Sequence, residues 1–277
     1  MDYVTLNDGN KIPMLGLGVY RLSDYDTCKK AVLYALALGY RHIDTAQIYK
    51  NEAAVGDAII ESGIKREEIF LTTKIWVSNF KRVRESFNES LDRLKTPYVD
   101  MILLHQSVGP YVSAYKELEK LKEEGLAKSI GVSNFDNNQM TKLMKNTTIV
   151  PALNQIEIHP YNQREEQVEF DKANGIAVED WYPLANAKAN LLTDETIGAI
   201  AKAHGKTIPQ IILRWHVQRG NIVFPRSTSI EHMKDNLDIF NFTLTDEEMA
   251  TMKAINRDES YDAPHWVKNI VLRFAKA

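Results

Sequence analysis

The sequence predicts an α/β protein folded as a single (β/α)8 barrel over residues 1–277, and three observations predict it. Short apolar runs alternate with helical patterns almost to the end of the chain, eight of those runs have strand character, and 277 residues suit one barrel of this kind. No linker, low-complexity tract or shift in composition marks a second domain.

The first element, YVTLNDGNKIPML, reads as a hairpin turning at Asp8-Gly9 that plugs the barrel floor. The barrel strands follow as GLGVY (16–20), RHIDT (41–45), IFLTTKI (69–75), VDMILLH (99–105), AKSIGVS (127–133), ALNQIEI (152–158), IAVEDWY (176–182) and NIVFPR (221–226). GLGVYR (16–21) lacks the third glycine of a dinucleotide-binding G-x-G-x-x-G turn and reads as the first strand and its turn. Helix signatures lie between the strands. Residues 51–62 stop at Gly63, and residues 80–94 stop ahead of Pro97. In YVSAYKELEKLKEEG the apolar positions Val112, Tyr115, Leu118 and Leu121 recur every third residue before Gly125. The tail SYDAPHWVKNIVLRF (260–274) is expected to lie over the barrel mouth as a loop or helix.

Composition narrows the function. With 34 Lys and Arg against 37 Asp and Glu, the net charge of −3 provides no field for nucleic acid or for an acidic membrane surface, which leaves a small-molecule ligand. The single Cys28 cannot form an internal disulfide, and MDYVTLNDGN lacks the basic-then-apolar pattern of a signal peptide. No apolar run approaches the length of a membrane-spanning helix. A cytoplasmic monomer is the expectation.

A barrel builds its active site at the C-terminal ends of its strands. Strand two ends at Asp44 with Tyr49 in the following loop, strand three at Lys74-Ile75-Trp76, and strand four at His105-Gln106. Strand five ends at Ser133-Asn134, six carries Gln155, seven ends at Trp181-Tyr182, and eight at Arg226-Ser227-Thr228. An ordinary tyrosine titrates near ~10, and a nearby ammonium favours its phenolate. Lys74, held by Asp44, would therefore tune Tyr49 as a proton donor, while a neutral His105 orients a substrate carbonyl. The alternative is a structural ion pair of Asp44 and Lys74, with Tyr49 and His105 as packing residues.

The segments GYRHIDTAQIYKNE, IFLTTKIW, VDMILLH, AKSIGVSNF, LNQIEIHP and FPRSTSIEHMKDNL closely resemble, in order and spacing, the motifs of the aldo-keto reductase family, from about Val4 to Ile255. Gln106 after His105 is similar to a bacterial branch of diketogluconate and methylglyoxal reductases. The resemblance implies an NADP(H)-dependent carbonyl reductase acting on small aldehydes, α-dicarbonyls or keto sugars, with Asp44, Tyr49, Lys74 and His105 matching the catalytic tetrad. It implies a nicotinamide site at Ser133, Asn134 and Gln155, with Trp181 stacking where the family commonly has tyrosine. Arg226, Ser227, Thr228, His232 and Asn236 match its phosphate and adenosine end. A phosphate there would also suit a helix N-terminus. Where the family commonly places an arginine for the 2′-phosphate this chain has His232, so NADPH is expected with NADH also accepted. Tyr20, Trp76, Gln106 and Trp266 match positions lining the substrate pocket, although Tyr20 and Trp76 also read as aromatics capping the core. LANAKANLL (184–192) is short for a cofactor-covering loop, from which faster cofactor exchange is expected.

Two other readings stay open at this stage. One keeps the fold and the nicotinamide site but makes the chain a non-catalytic sensor or partner subunit. The other is a metal-dependent hydrolase using Asp44 and His105; the seven histidines are scattered and no H-x-H pair lies on the first strand, so no metal is expected.

Overall fold

A computed structural model describes residues 1–185 and 190–261. The predicted tail beyond Tyr261, with Trp266, and the middle of the 184–192 loop lie outside the described residues. The chain opens with strands β1 (Tyr3–Thr5) and β2 (Lys11–Pro13), antiparallel with Tyr3 opposite Pro13 and Thr5 opposite Lys11. Gly9 supplies the left-handed backbone of their turn at φ +87°. The hairpin buries Leu6 and Ile12 against Phe70, Leu153 and Ile222, residues at the N-terminal ends of three barrel strands, and so closes the floor as expected. Each such side chain contributes roughly 1.5–3 kcal/mol by leaving water.

The barrel strands are β3 (Leu17–Gly18), β4 (His42–Asp44), β5 (Phe70–Ile75), β6 (Val99–Leu104), β7 (Ala127–Ser133), β8 (Leu153–Glu157), β9 (Ala177–Trp181) and β10 (Ile222–Val223). They form one parallel eight-stranded sheet in sequence order. A parallel bridge from Leu15 to Val223 closes it, with Val223 N–H donating to the Met14 carbonyl at 2.9 Å and Gly16 N–H to the Val223 carbonyl at 2.8 Å. This seam explains the glycines of GLGVYR: a Cβ on Gly16 would meet His42 Nδ1 at 2.6 Å, and one on Gly18 would meet the Phe224 carbonyl oxygen at 2.7 Å. Close backbone approach, not phosphate binding, requires them.

The helices are α1 (Tyr25–Ala37), α2 (Glu52–Glu61), α3 (Val83–Leu94), α4 (Tyr111–Glu123), α5 (Asn137–Met144), α6 (Glu165–Ala173), α7 (Glu195–His204), α8 (Ile208–Gln218), α9 (Ile230–Leu237) and α10 (Asp246–Ala254). Strict alternation breaks between β9 and β10, where two helices replace one: α7 ends at Gly205 with φ +62°, and a Thr207–Gln210 capping box starts α8 at once. α3 begins later than its apolar pattern suggests, because Val77–Asn79 forms a separate 3₁₀ turn and Phe80 is buried as an anchor before the helix. The inward stripe of α4 is Tyr111, Ala114, Tyr115, Leu118 and Leu121, leaving the expected Val112 half-buried. Among the described residues no helix is long and apolar enough to cross a membrane.

Candidate active site

The C-terminal ends of the strands gather the expected groups, and short local devices set each one. Asp44 ends β4 and is buried. Residues Gln47–Tyr49 then form a 3₁₀ turn, and Lys50 leaves it at φ +58°. Gln47 ties this turn to the next strand: its Oε1 accepts from the Trp76 N–H at 2.9 Å, and its Nε2 donates to the Ser86 carbonyl at 3.0 Å. Asn51 ties it to the previous one, donating to the carbonyls of Val19 at 2.9 Å and Leu22 at 3.1 Å. Tyr20 and Tyr49 are thereby held together, with ring centroids 5.0 Å apart.

Beneath Tyr49, the fully buried Lys74 Nζ donates to Asp44 Oδ1 at 2.6 Å, to Asp44 Oδ2 at 2.7 Å and to the Thr45 carbonyl at 2.9 Å. An ammonium has three hydrogens, so all are engaged. Lys74 reaches Tyr49 as a charge over the ring, 5.1 Å from its centroid. His105 meets the Tyr49 ring edge-on at 5.6 Å and the Trp76 ring at 5.1 Å. The expected lowering of the Tyr49 pKa is not found. Although Tyr49 keeps part of its surface exposed, burial of its phenol, followed by the negative field of Asp44, pushes it well above the ordinary tyrosine value. Asp44 takes up the charge that Lys74 was expected to lend. The Asp44 carboxyl is itself raised by burial, against the opposing pull of Lys74 and Gln155.

The three residues expected at the nicotinamide form one chain. Ser133 Oγ donates to the Gln155 carbonyl at 2.9 Å, and Asn134, in the left-handed region at φ +63°, donates to Ser133 Oγ at 3.0 Å. Trp181 Nε1 donates to Asn134 Oδ1 at 3.0 Å, which fixes the orientation of the indole.

Two cavities meet here. A chamber of about 330 Å³ is lined by Tyr49, His105, Trp76, Gln106, Ser133, Asn134 and Gln155 together with Tyr20, Trp181 and Tyr182. A groove of about 320 Å³ shares Tyr20, Trp181 and Tyr182 with it and runs to Arg226 and His232. Arg226 has no carboxylate partner among the described residues. Ser227 and Thr228 stand beside it before α9, whose cap Ser229 accepts from the His232 N–H at 3.3 Å. Asn236 is buried on α9 beside Tyr40. Sequence reasoning missed Arg21, Ile48 and Tyr261 in the chamber wall. Arg21 follows Tyr20 directly, and its left-handed backbone at φ +64° was not legible from residue type. Among the described residues no group of three His, Cys, Asp or Glu side chains is placed to hold a metal ion.

The profile of the Aldo/keto reductase family matches residues 14–257. The chain belongs to this family. Among the relatives of this aldo-keto reductase is an aldo-keto reductase of Mycolicibacterium smegmatis, 43% identical and matched over 91% of this chain and 92% of that one. Methylglyoxal reductase DkgA of Escherichia coli is 38% identical, over 92% of this chain and 93% of that one. The crystal structure of a Bombyx mori aldo-keto reductase in complex with NADP superposes with a TM-score of 0.91 at 35% identity, covering 97% of both chains. The protein is an oxidoreductase of the family, and the barrel with its N-terminal hairpin is the family's fold.

Proposed function

We propose that the protein is an NADPH-dependent carbonyl reductase in which Tyr49 gives a proton to the carbonyl oxygen. The observation that carries this reading is the stack at one mouth: Asp44 gripping Lys74, Lys74 under the Tyr49 ring, and His105 against its edge. The cofactor fits the residues present. The groove continues into the chamber past an indole pinned by Asn134, and an uncompensated Arg226 stands at the far end beside a helix N-terminus. Trp181 would lie against the nicotinamide, Ser133, Asn134 and Gln155 would hold its carboxamide, and Arg226 with Ser227 and Thr228 would take phosphate. When bound, the nicotinamide supplies the hydride.

The residues then divide the remaining work. His105 orients the carbonyl by a hydrogen bond to its oxygen, while Tyr49 stands ready as a neutral phenol. The raised pKa of Tyr49 suits a donor, because the phenol stays protonated across neutral pH while the alkoxide forming on the substrate is a stronger base than any phenolate. Lys74 lies under the ring that gives up the proton, and Asp44 prevents that ammonium from moving. The aromatic wall of Tyr20, Trp76, Trp181 and Tyr182 gives the reacting carbon an apolar lining.

The size of the chamber suits small aldehydes and α-dicarbonyls. Arg21 carries the one formal charge among the described lining residues, 5.3 Å from the Tyr20 ring, and favours those bearing a negative group. The test is loss of reduced-nicotinamide absorbance with small aldehydes, dicarbonyls and keto sugars, with NADPH and NADH separately. Turnover faster with NADPH supports the reading. Tight cofactor binding without turnover of any carbonyl would instead mark a binding protein.

A further inference from the structure

Glu179 has no part in the chemistry above, yet it bonds Gln155 and its charge would reach Asp44, Lys74 and Tyr49. It is fully buried on β9, in register with Gln155 on β8. Gln155 Nε2 donates to Asp44 Oδ2 at 2.9 Å and to Glu179 Oε2 at 2.7 Å. An amide nitrogen has two hydrogens, so both are spent between the two carboxyls. What Gln155 has left to present to the chamber it lines is its oxygen, Oε1.

The charges do not balance if both carboxyls are ionised. Asp44 already engages Lys74 through both oxygens, and among the described residues no second cation faces Glu179. The groups around it are Asp44 and His42 from β4, Lys74 from β5, Asp180 beside it on β9, and Tyr49 above. His42 is held neutral, its pKa pushed down to about 3 by burial. Glu179 Oε1 lies 3.4 Å from His42 Nε2, and neither atom has another hydrogen-bond partner among the described residues. His42 also faces the Pro13 carbonyl, where its single ring proton can lie, which leaves Nε2 bare to face an O–H on Glu179 Oε1.

We propose that Glu179 is a positioning residue that carries a proton at neutral pH, fixing the Gln155 amide with its oxygen toward the chamber while keeping the nicotinamide end of the site free of a second negative charge. Burial, with Asp44 next, raises the Glu179 carboxyl to about 8, which agrees with the geometry. The proposal rests on the nicotinamide reading of the site. Its consequence is that ionisation above this range favours the cationic, oxidised nicotinamide over the reduced one.

The test combines two measurements that fail independently. Infrared difference spectra of the protein without cofactor, wild type against Glu179→Gln, are expected to show a protonated-carboxyl band at pH 6 that belongs to Glu179 and disappears through about pH 8. Absence of that band at pH 6 overturns the proposal. Fluorescence titration then gives the Kd of NADPH and of NADP⁺ from pH 6 to 10. In wild type the ratio of Kd for NADPH to Kd for NADP⁺ is expected to rise about 10-fold as pH passes the titration, and to stay flat in Glu179→Gln. At pH 7 Glu179→Gln should keep wild-type affinity and Glu179→Leu lose about 3- to 10-fold, because only the amide still accepts from Gln155. A flat wild-type ratio, or a Glu179→Gln protein as weak as Glu179→Leu, overturns the positioning role. Failure of wild type to bind either nucleotide overturns the nicotinamide reading instead, and leaves the infrared result to judge the proton.

Discussion

Lys74 and Asp44 are joined through both carboxylate oxygens, at 2.6 and 2.7 Å, and both side chains are withdrawn from solvent. A pair so buried is costly to break on one side, since the partner is left as an uncompensated charge at roughly 3–5 kcal/mol. Lys74→Met is therefore expected to lower the urea midpoint, and Asp44→Asn in the same chain to restore most of it. Turnover should stay down by 100-fold or more in the single and the double variant, with cofactor Kd within about threefold of wild type. Activity recovered along with stability would make the pair structural and nothing more.

His42 sets an acid limit on the fold. Its folded pKa, about 3, lies below the ordinary value of 6.5, so the unfolded chain binds more protons between those values. Stability is therefore lost as pH falls from 6.5 toward 3, at up to about 1.4 kcal/mol per pH unit. His216, also lowered by burial, adds the same sign. Urea unfolding of His42→Gln at a series of pH values should give a shallower acid slope than wild type. Parallel slopes would locate the proton uptake elsewhere.

His232 lines the groove but has neither the fork nor the fixed charge of arginine. His232→Arg is expected to raise the preference for NADPH over NADH by about 10-fold, most of it in KM, because a guanidinium can take a phosphate with two hydrogen bonds. An unchanged ratio would assign phosphate recognition to Arg226 and Ser227.

Arg21 allows the substrate preference to be read directly. Arg21→Met should raise KM for succinic semialdehyde about 3- to 10-fold and leave an uncharged aldehyde of similar length unaffected, the modest size reflecting an exposed cation. If the KM for NADPH rises instead, Arg21 serves the cofactor.

Much of this was legible in the sequence, for physical reasons. The strands are apolar runs between polar helical faces, and the groups at their C-terminal ends, Asp44, Lys74, His105, Ser133 and Trp181, meet at one mouth as the barrel rule requires. Contacts that depend on how opposite walls of the barrel approach were not legible. Gln155 reaches Asp44 across 111 residues of sequence, and nothing in LNQIEI announces it. Glu179 and Asp180 are neighbours in one strand, yet one faces the barrel interior at Gln155 and the other meets His216 on α8 at 2.6 Å. Alternation along a strand told that they part, not which goes where. The Tyr49 expectation went astray because residue type alone did not reveal that Asp44 and Thr45 absorb every hydrogen of Lys74.

The measurement that bears most directly on the central claim is single-turnover oxidation of bound NADPH by a reactive dicarbonyl in Tyr49→Phe beside wild type. The phenyl ring preserves the packing against Tyr20 and His105 and removes only the transferable proton. The expected result is unchanged NADPH binding with hydride transfer slowed by 100-fold or more. A Tyr49→Phe protein that transfers hydride at the wild-type rate would show that the proton comes from another group, and would contradict the role assigned to Tyr49.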